Sequence, residues 1–358
     1  MSKPKIKISF RTILSVLTFF LVAFVVWQNF DDIKEAISHL GETNILVLIL
    51  LIPEQLFMYY CCGQMFFSYM AAKKGAKKIS NWILMRISLE LNFVNHAVPA
   101  GGFGGLGYIA WRLGKFGATP GQASFMYALR YVITICANQF QTIVAIICLL
   151  IFGTVPDSGK WVIWATALIS VGIILVIAAV IIIASSLKRI HWFAKIGAGF
   201  INGFVRIVTF GHKRNVIKFE TVDNYLVDIH EDLMTARRNK KMLIRPIIWG
   251  IIYSFLEIAT YWIVATSLGH FELLPQIMIG EAIGSVLGAI IPYGLYELGM
   301  AGIMVQLGVD FGLASIVVVM TRVVVLGSTI LSGYGFYQDA IARVGKKEQT
   351  EAMKINEQ

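Results

Sequence analysis

Charge is scarce in this chain. Asp, Glu, Lys and Arg together make up 15% of its 358 residues, where an average soluble domain carries about a quarter. Hydrophobic residues reach 57% and the mean hydropathy is +0.71, so the composition excludes a water-exposed globular domain and describes an integral membrane protein. Cysteine is rarer still. Cys61, Cys62, Cys136 and Cys148 all stand in apolar runs without CxxC spacing, which argues against a disulfide framework or thiolate metal site and for small buried hydrophobes. The chain also lacks a GxxxxGK[ST] phosphate loop, an HExxH helix and any paired zinc-ligand spacing. ATP-driven pumping and metallohydrolase chemistry are therefore unsupported, and no cofactor or metal is expected. A literal GxGxxG does occur, as Gly102, Gly104 and Gly107 in "PAGGFGGLGYIAW". It signals a dinucleotide site only inside a soluble βαβ unit, and the surrounding composition excludes one.

What charge there is falls at informative places. The net +10 is concentrated at chain positions that set topology, because cytoplasmic loops carry the excess of Lys and Arg. Lys3, Lys5, Lys7 and Arg11 put the amino terminus inside. An apolar stretch from Thr12 to Phe30, with no small-residue cleavage site after it, is expected to span the membrane. Asp31, Asp32, Glu35 and Glu42 then face out. A second span, Asn44 to Tyr69, returns to Lys73, Lys74, Lys77 and Lys78. Later spans are expected over Gln122–Phe152, Trp161–Ser186, Ile247–Leu268 and Phe311–Phe336, the last ending before Arg343, Lys346 and Lys347.

Two segments are too short and too broken to be spans. Asn81 to Val98 advances as an apolar helix, is interrupted by Pro99, Gly101, Gly102 and Gly104, and returns to Arg112 and Lys115. Gln276 to Ile291 does the same around Pro292 and Gly294. Irregular backbone at membrane depth survives only where protein or a watery cavity satisfies it, so these read as re-entrant hairpins, the first entering from inside and the second from outside. The halves echo each other: Pro99, Leu113-Gly114, Ala123-Ser124 and Arg130 against Pro292, Leu307-Gly308, Ala314-Ser315 and Arg322. The expected fold is all-α and polytopic, about six full spans plus two broken hairpins in an inverted-repeat-like arrangement. Such paired breaks point to a transporter's midplane site. Residues 1–340 form the transmembrane domain, and 341–358 a short charged cytoplasmic tail. Within the domain, residues 188–245 form a cytoplasmic amphipathic insertion. Between Lys188 and Arg245 stand twelve basic and five acidic residues; Trp192, Ile196, Phe200 and Phe204, near Lys195 and Arg206, suit an interfacial helix. The stretch from Lys218 to Lys241 suits an amphipathic cover for the inner face.

An ionisable side chain at bilayer depth costs a few kcal/mol and is a functional candidate by default. Arg130 leads, because Thr134, Asn138 and Gln141 follow it on one helix face and a lipid phosphate is the natural partner of a guanidinium. Arg322 takes the matching place in the second half, and Arg112 is a further phosphate candidate. Glu90, four residues after Arg86, fits an ordinary ion pair as well as a relay. Ser88, Asn92, Asn95 and His96 share another face of that helix and suit a cavity wall; His96 alone is a hydrogen-bonding residue rather than a metal ligand. Glu281, beside the small-residue stripe Gly280, Gly284 and Gly288, and Glu297, near Tyr293, are candidates to receive a cationic headgroup or relay a proton, with Glu257 between Tyr253 and Tyr261 as a third.

The segments "VPAGGFGGLGYIAWRLGKFGATPGQAS" and "IIPYGLYELGMAGIMVQLGV", with Arg322 downstream and the amphipathic segment between, resemble the lysylphosphatidylglycerol synthase transmembrane region family, the flippase-like membrane domain of multiple peptide resistance factors. The resemblance covers nearly the whole chain. It implies a translocase moving lysylphosphatidylglycerol, another anionic lipid or a polyprenyl phosphate between leaflets of the cytoplasmic membrane, both termini cytoplasmic, with a bearing on antimicrobial-peptide resistance. In full-length relatives a soluble carboxy-terminal domain makes the aminoacyl-lipid; here about twenty residues follow the last span, so the expectation is a transporter-like protein whose lysyltransferase label would hold by family name only. The alternatives are a lipid-modifying enzyme at the inner face and a scaffold for a separate synthase or glycosyltransferase. Expected partners are a membrane phospholipid and such a synthase or glycosyltransferase, with no nucleic acid; a homo-oligomer stays open.

Overall fold

In hydrocarbon every backbone N–H and C=O needs a partner within the protein, and a helix supplies one from its own segment. The computed structural model describes residues 30, 34, 37–72, 79–97, 103–152, 156–208, 219–290 and 295–343, and among them all regular structure is helical. Among the described residues five helices are long and apolar enough to cross a membrane: α1 (Ile45–Ala71), α4 (Pro120–Phe152), α5 (Lys160–Ala184), α8 (Lys241–Ser267) and α11 (Phe311–Arg343). They coincide with the second to sixth expected spans. The first, Thr12 to Phe30, lies outside the described residues except for Phe30, as do Lys73, Lys74, Lys77, Lys78 and the tail from residue 344.

Four shorter helices form two antiparallel pairs. In the first, α2 (Asn81–Ala97) and α3 (Phe103–Gly114) have 17 and 12 residues. In the second, α9 (Leu274–Ile290) and α10 (Leu295–Gln306) have the same 17 and 12. At 1.5 Å per residue these are about 26 and 18 Å long, short of the ~30 Å hydrocarbon thickness. The connections, with Pro99, Gly101, Gly102, Pro292, Tyr293 and Gly294, lie outside the described residues, whereas Gly104, expected in the first break, is inside α3, where a glycine still allows helical backbone.

The pairs pack at opposite ends of the same long helices. Around the first, Ile87, Leu91 and Phe93 of α2 and Ile109 and Leu113 of α3 join Met65 and Phe66 of α1 and the early part of α4, Ala123 to Ile133. Around the second, Ile277 and Ile279 of α9 and Met300 and Met304 of α10 join Ala145 and Leu149, late in α4. Helix α8 runs through both cores, with Met242 and Tyr253 in one and Ile258 and Ala265 in the other. Lipid is as apolar as leucine, so such association depends on close packing rather than hydrophobic drive. Gly333 shows how close: a side-chain carbon there would sit 2.7 Å from the Leu89 carbonyl oxygen and from Phe93 Cβ. Gly333 lies in a π-helical turn of α11, Thr329–Tyr334, of the kind that re-aims a helix near functional sites.

Two helices cap one end. α6 (Leu187–Val208) packs on α7 (Phe219–Arg238), and α7 on the start of α4. The Tyr225 hydroxyl donates to Ser124 Oγ at 2.5 Å, and the Tyr69 hydroxyl donates to the Asp232 carbonyl at 3.0 Å. Trp192, Phe193 and Ile196 remain exposed on α6; the side chains of Phe200, Phe204 and Arg206 are outside the described set. Helix α5 packs lightly against α4, α6 and α9 and leaves Trp164, Leu168 and Leu175 outward, as a lipid-facing helix does.

Candidate functional site

Polar side chains gather where the two cores meet. The face of α4 that carries Arg130, Thr134, Asn138 and Gln141 turns toward α8. Ser254 Oγ of α8 donates to Asn138 Oδ1, and Arg130 Nη2 reaches the Tyr253 hydroxyl at 3.5 Å. Tyr253 in turn donates to Glu257 Oε1 at 3.0 Å. The Arg130 guanidinium lies over three rings, Phe66, Tyr131 and Tyr253, at 5.8, 5.4 and 5.5 Å from their centres, and among the described residues no carboxylate oxygen comes within 4 Å of it. Farther along the same face, Thr134 Oγ1 and both polar atoms of the Gln141 side chain are buried with no hydrogen-bond partner among the described residues.

Arg322 is placed differently from Arg130. It pairs with Glu297 of α10, and its charge reaches His96 at the end of α2, so one arginine stands near the ends of both short-helix pairs. His96 Nδ1 lies 2.9 Å from the Asn92 carbonyl. Asn92 Nδ2 donates to the Tyr59 hydroxyl at 2.8 Å, and Asn95 Oδ1 accepts from Tyr127 at 3.2 Å. Gly105 makes the last arrangement feasible, because a side-chain carbon there would collide with Asn95 Oδ1. Gly105 thus admits a polar side chain to the helix end, and among the described residues no strand precedes this stretch.

Glu90 and Arg112, separate candidates in the sequence, are bound to each other. Glu90 is fully buried; Arg86 Nε donates to its Oε1 at 2.7 Å. Arg112 donates to both of its oxygens at 2.8 and 3.2 Å, and the Tyr108 hydroxyl to Oε2 at 2.6 Å. Arg86 continues to Asp339 of α11 at 2.7 Å. This cluster ties α2, α3 and α11 together.

Glu281 is 7% exposed in the second core and close enough to Glu257 for their charges to interact. Its neighbours Tyr261 and Tyr296 join hydroxyl to hydroxyl at 2.7 Å. Glu54 of α1 belongs to the same polar zone and escaped the sequence reading. It is 9% exposed and accepts from Gln55 Nε2 at 3.0 Å and from Thr260 Oγ1 of α8 at 3.2 Å. The signal was available: "LLIPEQLFMYY" holds an acid inside an apolar run, the kind of residue that marks function in a span.

Among the described residues no cluster of three or more His, Cys, Asp or Glu has metal-binding geometry. The profile of the family described as the lysylphosphatidylglycerol synthase TM region matches residues 11–333. The chain belongs to that family. No curated protein and no solved structure matches it. The match takes in both short-helix pairs and α6–α7, so the lysylphosphatidylglycerol synthase TM region contains Glu54, Arg130, Glu281 and Arg322 alike. Membership makes this a multi-pass membrane protein with a lipid-related function.

Proposed function

We propose that this member of the family is a lipid translocase of the cytoplasmic membrane, moving an anionic or zwitterionic phospholipid headgroup between leaflets. The observation that carries the reading is Arg130: a guanidinium held over three aromatic rings, without a carboxylate within 4 Å among the described residues, and one helical turn from the buried Thr134 hydroxyl that has no protein partner there. A phosphate oxygen supplies the charge-assisted acceptor that this site lacks. The short-helix pairs act as re-entrant hairpins from opposite faces, and a headgroup crossing ~30 Å of hydrocarbon follows the polar zone between them. In this scheme Arg322 hands the phosphate on when its pair with Glu297 opens, leaving Glu297 and Glu281 to meet a cationic headgroup. The chemistry is passage rather than bond cleavage: the candidates spread over both halves instead of clustering as acid, base and nucleophile at one interface.

The test is transfer of a fluorescent phospholipid from the protected leaflet of vesicles holding the purified protein. Wild type is expected to transfer lipid, and Arg130→Ala and Arg322→Ala to lose transfer. Absence of wild-type transfer with phosphatidylglycerol, its lysyl ester and a polyprenyl phosphate would overturn the reading.

A further inference from the structure

Glu54 sits nine residues into α1, about 14 Å from its start by helical rise. Both of its hydrogen-bond donors, Gln55 and Thr260, are neutral. Among the described residues no Lys, Arg or His nitrogen lies within 4 Å of it. Of the helices packed on α1, α8 presents Glu257, a second carboxylate whose charge reaches Glu54. Helix α4 presents Arg130, which lies over Phe66 farther along α1; α2 presents Asn92 and α11 presents Ser328, both uncharged. An anionic carboxylate buried against neutral donors, with a second carboxylate nearby, is costly, and a bound proton neutralises it in place.

A chain of hydrogen bonds leads away from this carboxyl across four helices. Gln55 Nε2 donates to Thr260 Oγ1 at 3.0 Å, and Ser328 Oγ donates to Gln55 Oε1 at 3.3 Å. Ser328 and the Tyr59 hydroxyl lie 3.4 Å apart, and Tyr59 accepts from Asn92. The chain therefore joins α8, α1 and α11 to the end of α2. Gln55, Tyr59, Ser328 and Ser332 form the polar strip of an otherwise aliphatic cavity of about 420 Å³ between α1 and α11, and a water on that strip has the two to four polar partners it needs. The Gln55 amide holds the carboxyl in place and does not itself pass a proton; water on the polar strip of the cavity, next to Gln55, is the carrier that reaches the buried acid.

We propose that Glu54 is the proton-binding site of the transport cycle, so that one proton crosses the membrane for each lipid moved. Its carboxylate oxygen takes the proton from water on one side and returns it to water on the other; only O–H bonds form and break. The coupling rests on the translocase reading, but the protonation of Glu54 does not.

The experiment has two arms. In vesicles with the membrane potential clamped, a gradient of one pH unit is worth 1.36 kcal/mol per proton, so wild type should skew the labelled lipid between leaflets up to about tenfold. Glu54→Gln should still transfer lipid but leave it evenly distributed, and Glu54→Asp should restore the skew. Even distribution by wild type under the gradient, or a full skew by Glu54→Gln, overturns the proposal while leaving the translocase reading intact. In the second arm, the wild-type minus Glu54→Gln difference in infrared titrations of the purified protein in detergent should show a carboxylic-acid band that rises as pH falls. A flat difference spectrum overturns the proton site even if no lipid is transferred, and a difference band supports the site whether or not the translocase reading stands.

Discussion

Arg130 and Glu90 are both charged residues in a membrane domain, and their surroundings give them different work. Glu90 is enclosed by Arg86, Arg112 and Tyr108, a closed set that holds α2 against α3. Removing one partner of a buried ion pair costs about 3–5 kcal/mol because the remaining charge is stranded. Glu90→Gln is therefore expected to lower the unfolding temperature in detergent, measured by loss of tertiary fluorescence, and pairing it with Arg112→Met should recover part of the loss. Arg130 has no carboxylate of its own within 4 Å among the described residues, so its replacement should act on transport. Losing a charge-assisted hydrogen bond to phosphate is worth about 1.5–3 kcal/mol, which predicts transfer slowed roughly tenfold to a hundredfold in Arg130→Ala with little change in unfolding temperature. Arg130→Lys should fall between, because an ammonium lacks the planar fork and stacks less well on the three rings.

At the scale of the element, the matched helix pairs depend on close approach. Gly333 in the π turn of α11 has Leu89 and Phe93 2.7 Å from where a side-chain carbon would lie. Gly333→Val is expected to cost about 1–3 kcal/mol through overpacking. Gly107→Ala, where nothing lies within 4 Å, should be neutral or stabilising by up to about 1 kcal/mol from helix propensity; thermal unfolding of the two proteins side by side checks the contrast. Each of the five described spans overlies a long helix, with ends up to seven residues apart, since length and hydropathy are properties of the segment itself. Four short helices likewise stop and resume on either side of the expected breaks, at Ala97 and Phe103 and at Ile290 and Leu295, while the breaks themselves lie outside the described residues. Which charges meet was not legible in that way. Arg322 and Glu297, or Glu54 and Thr260, lie on different helices, and no periodicity within one segment encodes the crossing that joins them.

For the whole molecule, the two cores at opposite ends of α4 and α8 leave the polar zone between them, and the capping pair α6–α7 closes one end. If transport resides in that zone, neutralising the exposed Lys188, Arg189 and Lys195 of α6 should leave lipid transfer in vesicles essentially unchanged. A scaffold that recruits a separate enzyme would behave in the opposite sense: in cells, surface labelling of the transported lipid would collapse with those charges and survive Arg130→Ala. The sequence by itself determined that this is an all-helical membrane protein, roughly where its described long and short helices lie, and its family. Each of these follows from composition, local hydropathy or contiguous motifs. Only the tertiary structure decided that Arg322 is paired while Arg130 faces aromatic rings, that Glu90 and Arg112 form one cluster, and that Glu54 joins a hydrogen-bonded chain. An ionisable side chain's role depends on what neutralises it, and within a membrane that partner comes from whichever helix happens to pack alongside.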